Sequence, residues 1–114
     1  MSDDMKALLA FIQECVRQHR YVFTDHALTK HPIAEGFRPS QAIASILSGT
    51  IIEHYPTVSR CLTCGEADGL EVSKDYQGRY IHCVCDYDDI QEIVIITMYR
   101  PRSDEWLNHF TRRR

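Results

Sequence analysis

No stretch of this chain stays apolar for the roughly 18 residues that a membrane-spanning helix needs. Its first residues, Met-Ser-Asp-Asp-Met-Lys, are acidic and lack the basic and apolar regions of a secretory leader. No membrane association and a cytoplasmic location are therefore expected. An even set of cysteines is also missing: the chain has five, so they cannot all pair as disulfides. In a reducing compartment they are thiols, metal ligands or both. Net positive charge is absent too, at −3, which disfavours a general nucleic-acid coating role. Repeats, low-complexity tracts and a Pro/Gly-rich linker are absent, so residues 1–114 are expected to form a single domain.

What is present suits a folded protein. Hydrophobic residues make up 44% and charged residues 25%, ordinary values for a globular chain. A chain of this size buries roughly two thirds of its unfolded surface, enough for a core without staples. Charge is unevenly spread. Residues 61–92 carry eight acids against Lys74 and Arg79, whereas residues 98–114 carry five arginines against Asp104 and Glu105. That polarity permits a local anion site near the C-terminal end, the plain alternative being a solvated helix end with a frayed tail.

Met5, Leu8, Leu9, Ile12, Cys15 and Val16 recur at helical spacing, which predicts a helix from about Asp3 to His19, capped by Ser2 or Asp3. Tyr21-Val22-Phe23 reads as a short extended link. Thr24 can cap a helix from Asp25 to about Lys30, which Pro32 ends. Residues 33–37 read as a loop. Pro39 suits the first position of the next helix, Gln41 a capping role, and Gly49 a left-handed C-cap. The period then changes from 3.6 to 2. Strands are expected at Thr50–Tyr55, Val58–Cys64, Tyr80–Asp86 and Glu92–Arg100, with a long acidic loop from Gly65 to Gly78. Ser103 is placed to cap a last helix bearing Trp106, Leu107 and Phe110. The predicted class is α+β, with N-terminal helices and a C-terminal helix packed on a mostly antiparallel four-stranded sheet.

Five segments follow one another along the chain: H-A-L-T-K-H, I-I-E-H-Y-P, C-L-T-C-G, G-R-Y-I-H-C-V-C and I-V-I-I-T-M-Y-R-P-R-S-D-E-W. This succession resembles a family of small bacterial proteins of unknown function, most specifically in its Tyr-x-Pro-x-x-x-x-Trp ending. That family is similar in layout to RelE-like and BrnT-like ribonuclease toxins, and its genes often neighbour a zinc-finger antitoxin. The resemblance implies a RelE-like fold, RNA as substrate and an antitoxin-like protein as partner. Where the family commonly carries a basic Glu-Arg-Met stretch, this chain has Leu28-Thr29-Lys30-His31.

Metal-free RNA cleavage needs a base for the ribose 2′-OH, an acid for the leaving 5′-oxygen and cations for the phosphorane. His26 falls in the first turn of its helix, where the macrodipole disfavours the imidazolium, as a general base requires. His82 lies mid-strand, sharing a face with Tyr80 and Val84, while Cys83 and Cys85 point to the other face. Tyr99 ends the last strand, assigned by alternation to the face of Thr97 and Ile95. These three are the candidate catalytic residues, with Lys30 and Arg100 as candidate phosphate ligands. On the plain reading each is a structural or surface residue. No cofactor is required. The alternative is a non-catalytic protein-binding module stabilised by zinc through Cys61, Cys64, Cys83 and Cys85. Cys61-x-x-Cys64-Gly resembles half a zinc knuckle, but an extended strand sends Cys61 and Cys64 to opposite faces.

Overall fold

A computed structural model describes residues 1–113. The apolar stripe read from the sequence forms α1 (Asp3–Arg17). Its Ser2 hydroxyl accepts from the Met5 N–H at 3.2 Å, and Asp3 and Asp4 sit at the positive end of the dipole. β1 (Tyr21–Phe23) follows, then α2 (Asp25–Thr29), capped by the Thr24 hydroxyl on the Ala27 N–H at 3.0 Å. Pro32 opens a one-turn helix, α3 (Pro32–Glu35), which Gly36 ends at φ 75°. α4 (Pro39–Ser48) starts on Pro39, where no N–H donor is needed. Among the described residues no helix is long and apolar enough to cross a membrane.

The strands are β2 (Thr50–Tyr55), β3 (Arg60–Glu66), β4 (Tyr80–Asp86) and β5 (Ile93–Tyr99). They form one sheet in the order β1-β5-β4-β3-β2. Neighbours run antiparallel except β1, which pairs parallel with β5 through Tyr21–Ile93 and Phe23–Ile95. The architecture is thus α+β, with one strand more than the four expected: the short link is an edge strand.

Ile51, Cys61, Ile81, Cys83, Cys85, Ile93, Ile95 and Met98 face Ile12, Cys15 and Val16 of α1 and Ala42 and Ile46 of α4 in the core. α4 lies on the sheet at backbone contact. A Cβ added to Gly65 would stand 1.8 Å from the Ser45 carbonyl oxygen, and one on Gly49 would stand 2.3 Å from the Cys64 carbonyl oxygen. Gly49 is extended (φ −106°), not the left-handed cap expected; the close approach to β3 is what requires glycine there. Gly65→Ala should therefore destabilise the fold by about 3 kcal/mol, because two backbones rather than flexible side chains must separate. A urea midpoint that falls with an unchanged slope would show it; a midpoint within error of wild type would refute it.

The expected C-terminal helix does not form. After one turn, in which the Trp106 N–H donates to the Arg102 carbonyl at 2.9 Å, the chain folds back. The Leu107 N–H donates to the Thr111 carbonyl at 2.8 Å, and Trp106 bridges Arg112. So short a terminal segment nucleates a helix poorly. Burial of Trp106 (1% exposed) holds it instead as a strap, while Leu107 and Phe110 face outward. The strap crosses the sheet face opposite the helices. The loop between β3 and β4 is pinned to it: Gln77 Nε2 donates to the Trp106 carbonyl at 3.1 Å, and the Ser103 N–H donates to the Asp75 carbonyl at 2.9 Å.

Candidate active site

The strap-covered face of the sheet holds the polar side chains. Alternation along β3 and β4 places Cys64, Glu66, Tyr80, His82 and Val84 there. Tyr99 joins them because β5 carries a bulge at Ile96: Thr97 pairs with Val84, whereas Ile95 pairs with Cys85. The extra residue changes the phase, so Tyr99 shares a face with Thr97 but not with Ile95, correcting the simple alternation.

His82 is completely buried beneath the strap, its ring edge-on to Trp106 at 4.4 Å. Its Nε2 lies 2.6 Å from the His109 carbonyl oxygen, which can only accept, so Nε2 carries the ring proton. Nδ1 then accepts from the Tyr99 hydroxyl at 3.3 Å. Burial pulls the imidazole down to about 4, outweighing the carbonyl bond that favours its charged form. Burial likewise pushes the Tyr99 phenol well up, against the charge of Arg112.

The depressed histidine has a consequence for stability. The unfolded chain takes up a proton near the ordinary value of 6.5, but the native ring resists until about 4. The His82 contribution is thus fully present above pH 6.5. It is lost as pH falls between 6.5 and 4, by about 3 kcal/mol in total, and the loss flattens below that. Denaturant titrations across this range, differenced against His82→Gln, should isolate the loss; parallel curves for the two proteins would contradict it.

Beside Tyr99 opens a cleft of about 330 Å³, lined by His31, Glu35, Val84, Tyr99, Arg100, Arg102, Glu105 and Arg112. One helical turn brings His31 and Glu35 together. Nδ1 of His31 lies 2.5 Å from one Glu35 carboxylate oxygen, and the other oxygen accepts from the Arg100 backbone N–H at 2.6 Å. The carboxylate is therefore held from two sides and places the histidine proton on Nδ1. Nε2, the ring's other nitrogen, has no hydrogen-bond partner among the described residues. The His31 and Tyr99 ring centroids are 5.9 Å apart.

Arg112 comes from the strap. It meets Glu53 with two bonds, at 2.7 and 2.9 Å, and lies over the Trp106 ring at 4.7 Å. Burial works to raise the Glu53 carboxyl, but bonds from Arg112 and the Tyr55 hydroxyl hold it below its usual range. Arg102 pairs with Asp104 at the exposed rim, an interaction worth little.

Of the residues expected from the sequence, His82 and Tyr99 come together and the others do not join them. His26 is exposed on α2 and neither lines the cleft nor bonds to His82 or Tyr99. Lys30 is exposed at the end of α2, also outside the cleft lining. Arg100 is 3% exposed and is committed to the protein itself. Its guanidinium donates to the carbonyls of Glu71 (2.8 Å), Gly78 (3.1 Å) and Glu35 (3.4 Å) and lies over the Tyr76 ring. Residues 33–37 read as a loop from the sequence, yet they hold most of α3, and the four-residue spacing of His31 and Glu35 is the sequence signal for their pairing.

The cysteines divide as the strand period requires. Cys61 pairs with Cys85 on the helix side, and Cys64 pairs with His82 on the strap side. Among the described residues no group of three or more His, Cys, Asp or Glu side chains is placed to hold a metal ion. Burial pushes the thiols of Cys61, Cys64 and Cys83 up to about 12 and that of Cys85 well above its usual value, so all four stay protonated.

No curated protein and no solved structure matches the chain. Residues 23–100 match a family described as Domain of unknown function (DUF4258). The matched span contains His31, Glu35, His82 and Tyr99, while Trp106, His109 and Arg112 of the strap follow it. Because the match covers more than half of its length, the chain belongs to the DUF4258 family.

Proposed function

We propose that this protein is an endoribonuclease of the RelE-like toxin type, cleaving RNA by general acid–base chemistry in the cleft beside Tyr99. The observation that carries the reading is the His31–Glu35 dyad, which lines the same cleft as a protonated phenol and the arginines Arg102 and Arg112. His31 Nε2 takes the 2′-OH proton as the 2′-oxygen attacks phosphorus. The bond from phosphorus to the 5′-oxygen breaks, and that oxygen takes the Tyr99 proton. A 2′,3′-cyclic phosphate and a 5′-hydroxyl end result. The hydroxyl bond to His82 is long at 3.3 Å, so a substrate oxygen can replace Nδ1 as acceptor. Arg102 and Arg112 supply charge for the phosphorane oxygens. An antitoxin-like protein is the partner this reading carries.

The test is incubation of purified protein with end-labelled RNA in chelator. Cleavage leaving a cyclic phosphate, and blocked by a 2′-deoxy substitution at the cut site, supports the reading. RNA that stays intact with or without added divalent ions defeats it.

A further inference from the structure

On the other side of His82 lies a larger groove, of about 750 Å³, whose lining includes Cys64, Glu66, Tyr80, His109 and Phe110. It has aromatic walls. Tyr80 and His109 are stacked at 3.9 Å with 5° between their planes, and Phe110 stands edge-on to His109 with half of its surface exposed. One acidic group, Glu66, sits at its lip, and no lysine or arginine lines it. The Tyr80 hydroxyl donates to one Glu66 oxygen at 3.3 Å, and the second has no recorded partner among the described residues.

Groove and cleft are neighbours through one ring. His82 bonds Tyr99 of the cleft and the backbone of His109 of the groove. In register, the Glu66–Tyr80 pair lies one pleat repeat beyond the Cys64–His82 pair, roughly 6.6 Å along the sheet, and Tyr99 of the cleft stands one strand over from His82.

From this arrangement we infer that the groove is a guanine subsite, seating a base next to the phosphate held in the cleft; the inference rests on the ribonuclease reading. A groove whose charged side chain is a carboxylate suits the neutral base, not the phosphate. Its aromatic walls are the surfaces on which unpaired RNA bases stack. The carboxylate only accepts hydrogen bonds. Guanine presents two adjacent donors on its Watson–Crick edge, N1–H and the N2 amino group. Adenine and cytosine each set an acceptor beside their amino donor, and uracil flanks its one N–H with two carbonyls.

The experiment compares cleavage of oligoribonucleotides that differ only in the base flanking the cut, for wild type and Glu66→Gln, with titrations of guanosine, adenosine, cytidine and uridine followed by NMR. Glu66 is exposed, so the variant should fold as wild type does. Wild type should prefer guanine by about ten- to a hundredfold, the discrimination of a two-donor contact, and Glu66→Gln should lose most of that preference while still cutting. Cleavage without base preference overturns the subsite and leaves the ribonuclease reading intact. If RNA is not cut, saturable guanosine binding that shifts Tyr80, His109 and Phe110 signals and weakens in Glu66→Gln upholds the subsite alone. Equal or absent response to the four nucleosides overturns it.

Discussion

Replacing Arg100 by methionine should cost the fold about 3–5 kcal/mol, the sum expected when three backbone carbonyls lose a charged donor at about 1–3 kcal/mol each and part of the loss is made up by water. Its guanidinium gathers three carbonyls from separate segments: Glu35 at the end of α3, and Glu71 and Gly78 in the loop between β3 and β4. Methionine fills similar volume but leaves these partly buried acceptors without their donor. Part of the loss is recovered, because the guanidinium Nε is itself buried without a partner and no longer has to be desolvated. Lysine keeps the charge but cannot reach three carbonyls with a planar fork, so Arg100→Lys should be destabilised almost as much. The measurement is a denaturant midpoint with amide exchange. Loss should be accompanied by faster exchange of the Ala67 and Gln77 amides, which bond the Arg79 and Pro101 carbonyls and so report loop docking. A cost below about 1 kcal/mol with those amides still protected would show that the network contributes little beyond ordinary surface pairs. The same residue steadies the site, since its backbone N–H holds the Glu35 carboxylate.

Local pattern carried much of this fold. Alternation placed β4 at Tyr80–Asp86, and the six-residue stripe placed α1 to within two residues of its end. Long-range and phase information was what pattern could not carry. β1 is three residues long, and its partner β5 lies far along the chain, so nothing local distinguishes it from a link. The bulge at Ile96 adds one residue to β5, so the period groups Tyr99 with Ile95 as well as Thr97, whereas Ile95 turns to the other face. Pro32 does end α2, as expected, but it also opens α3, because a residue without an N–H suits the first turn of a helix equally well. That second role creates the His31–Glu35 pair. The strap defeats pattern for another reason. Trp106, Leu107 and Phe110 have helical spacing, but Trp106 gains more by lying edge-on to His82 than the segment would gain from a short helix. Arg112, read as tail, is thereby brought to Glu53 and the cleft.

His31→Ala should slow RNA cleavage by about 10²–10⁴-fold, the contribution of a positioned general base, while leaving the fold intact. His31 is suited to such a test because it is only partly buried and its one recorded side-chain bond is to Glu35. The Glu35 carboxylate already orients the imidazole through Nδ1, so binding need not reorganise it. Glu35→Gln is the sharper companion. The amide oxygen can still accept from the Arg100 N–H, so the anchor to β5 survives. The amide group turned toward His31, however, no longer offers a carboxylate to Nδ1–H. A drop in kcat with little change in KM, and a shifted alkaline or acid limb of the pH–rate profile, would mark Glu35 as a positioning residue; a purely structural role would leave the profile in place. Tyr99→Phe tests the acid, since it keeps the ring against His82 and removes only the hydroxyl. It should lower kcat for ordinary RNA far more than for a substrate whose 5′-oxygen is replaced by a better leaving group, such as a 4-nitrophenyl ester. That difference follows directly from the chemistry: a leaving group that needs no proton does not miss the phenol. If His31→Ala cleaves at the wild-type rate, or if Tyr99→Phe slows both substrates equally, the dyad and phenol are not the base and acid of this cleft.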